Sequence, residues 1–561
     1  MKIQKYKLTQ LGLLVVTLLI TSCDSYLDVE PQSVWESESF YSTPEEAEIA
    51  LAGVYGVLGS DLSYGRDLSI ILEAGTDEMY YNRRANENWA VALYRNTPSD
   101  NEGFNLWTNQ YEAINLTNLF LESIDRSSFA NDADYNALVG EARFLRALCY
   151  FNLSNYWESV PLRLSSSKNQ ADNNEPAAPL SDIYNAIVED FSFASNNLPH
   201  PSDGSYTPGR AHKLAAHGLL ARVYLKMSGY PLKENHYQDA LNHCLAVIND
   251  GYHDLETGGT VNGYREVFLD IIGGVYNLKE VMFEISFENL RDQGILETAG
   301  RIGGLNGLNF GSNNTLGDPN GFAQAGVYPT LTDLYDTEND FRYQWNIPSY
   351  KRNGSGDITE INSELSVRDY CPAKFRRWEP LDYADILIDG ENEQYVELEN
   401  SASVLNRNFT SVNFPVLRYS DILLMYAEAA NAVSGGPTAL AIQYLNEVRN
   451  RAGLVNIQDE KPQAVANEQS FFNELVDERS RELCYEGLRR FDLIRWELLD
   501  DKLEKVKNVV EGHPDFRANN ADHQSILRPP YNFDPSKHLS LPYPLVEVTV
   551  NQSLDQKSEW Q

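Results

Sequence analysis

The residue with the clearest chemistry is Cys23. It follows Ile20-Thr21-Ser22, an aliphatic residue and two small ones, at the end of a run from Leu11 to Ile20 that is apolar except for Gly12 and Thr17. Lys2, Lys5 and Lys7 precede the run. A basic start followed by roughly 7–15 apolar residues is a secretory signal, short of the about 20 that a bilayer span needs. The order aliphatic, small, small, cysteine matches the bacterial lipobox. Cleavage before Cys23 would leave its thiol and its new amine to be acylated. Each buried lipid methylene contributes about 0.8 kcal/mol, so several chains anchor where one holds only marginally. The sequence thus predicts a signal over residues 1–22, a covalent lipid on Cys23, and a polar tether over 23–42.

Other reactive groups give little purchase. The remaining cysteines, Cys149, Cys244, Cys371 and Cys484, are far apart, with no CxxC spacing. Two disulfides would suit an oxidising compartment, but three of the four fall in helical patterns, which favours buried thiols acting as small hydrophobes. The nine histidines show no HExxH and no second ligand at zinc spacing; His212 and His217 are five apart and share a helix face poorly. Asp- and Asn-rich turns lack EF-hand spacing, which leaves calcium open, and no other cofactor is expected. There is no GxSxG elbow, no P-loop and no GxGxxG at a strand–helix junction, so an enzyme is not expected.

Composition narrows the partners. The chain has 561 residues, with 45 Lys+Arg against 81 Asp+Glu, a formal charge of −36. Such a surface repels phosphate backbones, which argues against nucleic acid, and it also stands off anionic lipopolysaccharide.

The elements that would position a site are mostly helices. Thr43-Pro44-Glu45-Glu46 reads as a capped helix start, and Thr207-Pro208 as a second. Leu138, Ala142, Leu145, Cys149, Leu153 and Tyr156 recur at spacings of three and four, as do Ala216, Leu220, Val223 and Met227 beside Gly218. A second block, about 420–496, carries the stripe Ala441, Leu445, Val448 and Ala452, closed by Gly453. A further stripe from Val476 through Leu483, Gly487 and Phe491 to Ile494 predicts one helix from near Ser470, with Glu486 and Arg490 as an i,i+4 ion pair. Between the blocks, roughly 251–414, glycines, asparagines and short β-rich pieces predict loops and small sheets. The fold expected is mainly α, a tetratricopeptide-like stack of helix hairpins carrying that long irregular region.

Several longer stretches stand out: Glu141-Ala-Arg-Phe-Leu-Arg-Ala147 with Tyr150-Phe151 and Val160-Pro161-Leu162, then Pro415 to Ala429, Leu445 to Gly453, Glu478 to Trp496, and Leu541-Pro-Tyr-Pro544 with Glu547 and Asn551. Together they resemble the SusD/RagB family. These matches are ordered and span nearly the whole chain, which implies one SusD-like domain over 43–561 with a closing segment at 501–561. Their charged residues (Arg418, Asp421, Glu428, Arg449 and Arg481) read as ties between helices. A hydrolase would instead need two acids facing each other across about 5–10 Å.

The resemblance implies a lipoprotein on the outer face of the outer membrane, and Asp24 and Asp28 resemble the acidic export signal of such proteins. It implies a lid on a SusC-like TonB-dependent transporter, binding glycan and delivering it inward. Peptide or another nutrient as cargo, and an adaptor that gates the transporter with no ligand of its own, are the alternatives. The family's ligand surface includes the loop before the helix with Trp107, Gln110 and Tyr111. Here that loop holds Tyr80, Tyr81, Asn82, Arg83, Asn86, Asn88, Trp89 and Tyr94, the aromatic and amide mixture that a sugar's ring face and hydroxyl rim require. Phe341, Tyr343 and Trp345 form a second candidate cluster and Trp378 a third, whereas Trp107 reads as core.

Overall fold

The computed structural model describes residues 41, 43–71, 74–82, 89–258, 262–295, 298–310, 321–352, 357–361, 367–380, 395–400 and 407–561. The first long helix, α1 (Pro44–Leu58), starts where the sequence predicts. Thr43 Oγ1 accepts from the Glu46 N–H and the Glu46 carboxylate accepts from the Thr43 N–H, both at 3.2 Å. Such a box satisfies two donors that a helix end otherwise leaves open. Next come α2 (Asn101–Ser123), α3 (Asp132–Trp157), α4 (Leu180–Asn197), α5 (Lys213–Ser228) and α6 (Tyr237–Ile248), each packed on its predecessor. The long insert then begins, with α7 (Gly263–Gly273) inside it.

The two helical blocks of the sequence form one stack. α6 lies directly against α8 (Tyr419–Ser434), although residues 249–418 come between them, and α8 in turn carries α9 (Ala439–Arg451) and α10 (Glu468–Leu483). A continuous apolar core runs from Ala47 to Leu554 and joins both blocks. Gly218 makes one crossing tight: a Cβ there would meet Leu417 Cδ2 at 2.5 Å and Ile422 Cδ1 at 2.8 Å.

The insert is an excursion with paired roots. Its β3 (Ala325–Val327) pairs antiparallel with β1 (Met79–Tyr81) of the earlier chain, while β4 (Tyr350–Arg352) with β5 (Ile358–Glu360) and β6 (Trp378–Pro380) with β7 (Tyr395–Glu397) are short antiparallel pairs within it. The pair of β2 (Val281–Ile285) and β8 (Phe414–Arg418) sets Val281 opposite Arg418 and Ile285 opposite Phe414, bringing the chain back to the stack.

Three local expectations are corrected. α5 begins at Lys213, not at Thr207-Pro208; Gly209 sits at φ +87° in a turn, and His212 caps the helix by accepting from the Ala215 N–H at 3.2 Å. The single helix predicted from near Ser470 under the stripe to Ile494 is two helices, because Tyr485 and Gly487 adopt positive φ and α11 spans only Arg489–Arg495. Glu486, on that turn, does not pair with Arg490. It accepts from Arg418 at 2.7 and 2.8 Å and from Lys374 at 2.8 Å, while the Arg490 guanidinium lies over the Tyr94 ring at 4.8 Å. The four described cysteines, Cys149, Cys244, Cys371 and Cys484, are free and buried.

The charged motif residues form a buried ionic network centred on α10. Glu482 accepts from Arg451, Arg418 and Arg342 at 2.5, 3.0 and 3.1 Å, and Glu478 from Arg481 and Arg342 at 2.6 and 2.7 Å. Arg418 and Arg451 both reach Glu280 at 2.7 Å, just before β2. A second cluster joins Asp421 to Arg479 at 2.6 Å and Arg222 at 2.7 Å, and Glu428 to Arg495. Burial alone would raise these carboxyl pKa values. The surrounding guanidinium groups outweigh it and hold Glu482 and Asp421 at about 2.

Removing one member strands the rest in a low-dielectric interior, so Glu482→Gln should cost about 3–5 kcal/mol of unfolding free energy. Urea denaturation checks this, and an unchanged midpoint would contradict it. Because the folded pKa values of Glu482 and Asp421 are depressed to about 2 and the unfolded ones lie near 4, their stabilisation is complete above roughly pH 4.5. It should fall away as pH drops towards 2, read as a declining denaturation midpoint; a flat profile over that window would count against the network.

Candidate functional site

The expected ligand loop is tied to the rest of the molecule at its two ends. β1 carries Tyr80 and Tyr81 across from Gly326 and Ala325, and the Asn82 N–H then donates to the Gln324 carbonyl at 2.7 Å. Asn88, with Arg83 and Asn86, lies outside the described residues. Trp89 re-enters packed on Tyr81, ring centroids 5.6 Å apart.

Most of the predicted rings face inward. Tyr81 is 3% exposed, Trp89 8%, Tyr94 2% and Trp345 3%. Tyr94 donates to the Gly75 carbonyl at 2.8 Å and packs on Phe533 at 4.9 Å, where it joins the loop to the C-terminal segment. Trp345 lies under the Arg376 guanidinium at 4.3 Å, and its indole N–H donates to the Lys374 carbonyl at 3.2 Å. Trp378 is equally enclosed, between Phe310 and Tyr350 at 5.5 and 5.6 Å. As the structure stands, the platform faces expected of Tyr94 and Trp345 are covered by protein. Trp107 packs edge-on to Trp157 at 5.2 Å, in the core as read.

What remains partly open is an edge that the sequence does not announce. Arg368 donates to Asn82 Oδ1 at 2.9 Å and pairs with Asp522 at 3.0 Å, with side-chain exposures of 23% and 26% for the ion pair. Next to it Lys351 of β4 pairs with Asp369 at 2.8 Å. The backbone of Tyr370 accepts from the Val327 N–H at 3.0 Å, and the Tyr370 side chain contacts the half-buried Tyr343, whose hydroxyl is pushed up to about 12 by burial and by that neighbour. The two predicted clusters therefore meet through the 367–373 segment. Arg368 of that segment contacts Asn82, and Tyr370 contacts Tyr343. Amide, guanidinium, carboxylate and phenol groups are the kinds that hydrogen-bond a rim of hydroxyls. Arg368 and Asp522 carry no motif and are far apart in sequence, so only the fold could pair them.

Because Trp345 is a packed ring whose indole N–H has a backbone partner, Trp345→Ala should destabilise the chain by roughly 3–5 kcal/mol. Thermal or urea unfolding reads this. Unchanged stability with a loss of ligand affinity would instead return Trp345 to the ligand surface.

Comparisons with known proteins agree with this architecture. The model of the SusD family matches residues 279–560, and a second, described as "Starch-binding associating with outer membrane", matches 25–225. The chain is 27% identical to a SusD-like protein of Formosa agariphila over 95% of both chains. It is 24% identical to the starch-binding protein SusD of Bacteroides thetaiotaomicron, over 85% of this chain and 87% of that one. Its fold superposes on a SusD homologue from the same Bacteroides species with a TM-score of 0.79 at 25% identity, covering 93% and 98% of the two chains. On a laminarin-binding SusD-like protein the TM-score is 0.66 at 21% identity, covering 92% and 100%. SusD-family members are binding proteins, not enzymes, and the likeness to them covers most of the present chain. The chain belongs to the SusD family.

Proposed function

We propose that the protein is a cell-surface lipoprotein that binds glycan and passes it to a partner TonB-dependent transporter of the outer membrane. The observation that carries this reading is the match to starch-binding SusD along most of both chains. The polar groups near Asn82, Arg368 and Tyr343 support it, since they can hydrogen-bond a hydroxyl rim. Anchoring falls to Cys23, after removal of residues 1–22, with the following residues to about 42 as tether and a single body from 43 to 561. Cys23 itself lies outside the described residues. The acidic surface keeps that body off anionic lipid, so that it rests on the barrel rather than on the membrane.

Two measurements test the reading. Calorimetric titration of the full chain with soluble starch and laminarin oligosaccharides should show saturable binding, weakened about tenfold or more by Asn82→Ala with Tyr343→Ala. No heat with any neutral glycan would sink it. In cells, Cys23→Ala should abolish incorporation of a palmitate analogue and move the protein from the membrane to the soluble fraction. Continued labelling of the variant would remove the proposed anchor.

A further inference from the structure

A groove that shares no residue with the Asn82 edge is a further concave surface. It has a volume of about 510 Å³ and opens where the end of α1, the turn before α5, the end of α7 and the end of β2 converge. That volume falls within the range of small-molecule sites, about 300–1,000 Å³. Tyr276, 39% exposed, forms one wall. Its ring lies against Gly209, where a Cβ would come within 2.7 Å of the hydroxyl, and the hydroxyl hydrogen-bonds Ser286 Oγ at 3.0 Å. An exposed ring held at its tip and along one side presents a fixed face.

Glu284 lines the same groove. It projects from β2, is only 3% exposed, and takes one hydrogen bond from Asn413. Its Oε2 has no hydrogen-bond partner among the described residues. Buried polar atoms are nearly always paired, so such an orphan needs an explanation. Burial, with Asp270 nearby, pushes the Glu284 carboxyl up to about 8, so at neutral pH it carries a proton and can donate. The charge around it limits what could accept. Arg210, the one cation among the described lining residues, is already engaged by both oxygens of Glu141 at 2.8 and 2.7 Å and by Glu48 at 3.7 Å. Glu288 is exposed on the rim. An anionic ligand would meet no available positive charge there. A neutral ligand with an apolar face and oxygen acceptors would meet a ring, a proton donor and hydroxyls.

We propose that this groove is a second saccharide subsite, taking one or two rings of a neutral glycan with Tyr276 against the ring face and Glu284 donating to a sugar oxygen. The proposal rests on the glycan reading above and adds a site that shares no residue with the Asn82 edge. A long glycan could then be held at two points on one body.

The test is titration of the full chain with maltoheptaose and laminarihexaose. Tyr276→Ala and Gly56→Trp are the direct variants. Gly56 lines the groove and a Cβ there meets nothing within 4 Å, so added bulk can fill the groove without disturbing the fold. Each should remove one binding phase or weaken it about tenfold or more, with unfolding temperature unchanged. Glu284→Gln keeps a donor and should stay within about threefold of wild type, whereas Glu284→Met should lose the phase. Full binding by both Tyr276→Ala and Gly56→Trp, with loss on Asn82→Ala plus Tyr343→Ala, would overturn the groove and leave the glycan reading standing. Absence of binding by either sugar to the unaltered chain, or by any other neutral glycan, would overturn both.

Discussion

The architecture depends on charges placed where water is absent. Arg418 and Arg342 are fully buried, as are the carboxylates of Glu482, Glu478 and Glu280 that surround them. Isolated, any of these ions would cost several kcal/mol to desolvate; together, with each guanidinium meeting several carboxylate oxygens, the cost is offset and the geometry is fixed. The members come from different parts of the chain. Arg342 and Lys374 belong to the insert, Glu280 and Arg418 stand at its two roots, Arg451 ends α9, and Glu482 and Glu478 belong to α10. The network is thus a clamp that fastens the irregular region to the helix stack.

That clamp explains the division of labour in the fold. A binding surface made of short hairpins and loops has little core of its own, and needs a rigid body to hold its groups in register. Here the stack is built of α1–α6 and α8–α10, and the insert, which holds α7, leaves and rejoins it through the β2–β8 pair. Glu141 shows the same economy on the other side of the stack. It accepts from Arg210 and from the Tyr55 hydroxyl, so a residue in the middle of α3 fixes both the turn before α5 and the end of α1. Those two elements wall the groove in which Glu284 and Tyr276 sit.

Much of this was legible in the sequence, for a physical reason. Helix stripes, the Thr43 cap and the motif charges read as ties between helices (Arg418, Asp421, Glu428, Arg449 and Arg481) report local geometry or obligatory pairing, and the structure places them accordingly. The turn at Cys484–Leu488 was not legible, because Leu483, Phe491 and Ile494 keep a helical spacing across it. At that turn Tyr485 and Gly487 take positive φ, and Glu486 between them meets Arg418 and Lys374, residues far off in the chain. The site was legible least. Trp345 and Tyr94 have the composition of a sugar platform, yet arginines and backbone carbonyls from elsewhere cover them. Arg368, Asp522 and Glu284 carry no local signature at all. Ring type can be read from a sequence, whereas which face of a ring meets water is decided by tertiary packing.

In the function proposed, a rigid, ion-clamped stack holds the groups near Asn82, Arg368 and Tyr343, and the Tyr276 groove, in register for a glycan. Hydrogen–deuterium exchange on the full chain, with and without a saturating neutral oligosaccharide, tests this most directly. Exchange through α3, α8 and α10 should be slow in both states. New protection on addition of sugar should be confined to the segments bearing Asn82, Arg368 and Tyr343 and to those bearing Tyr276 and Glu284. Protection spread through the helix stack, or none in the insert on binding, would contradict it.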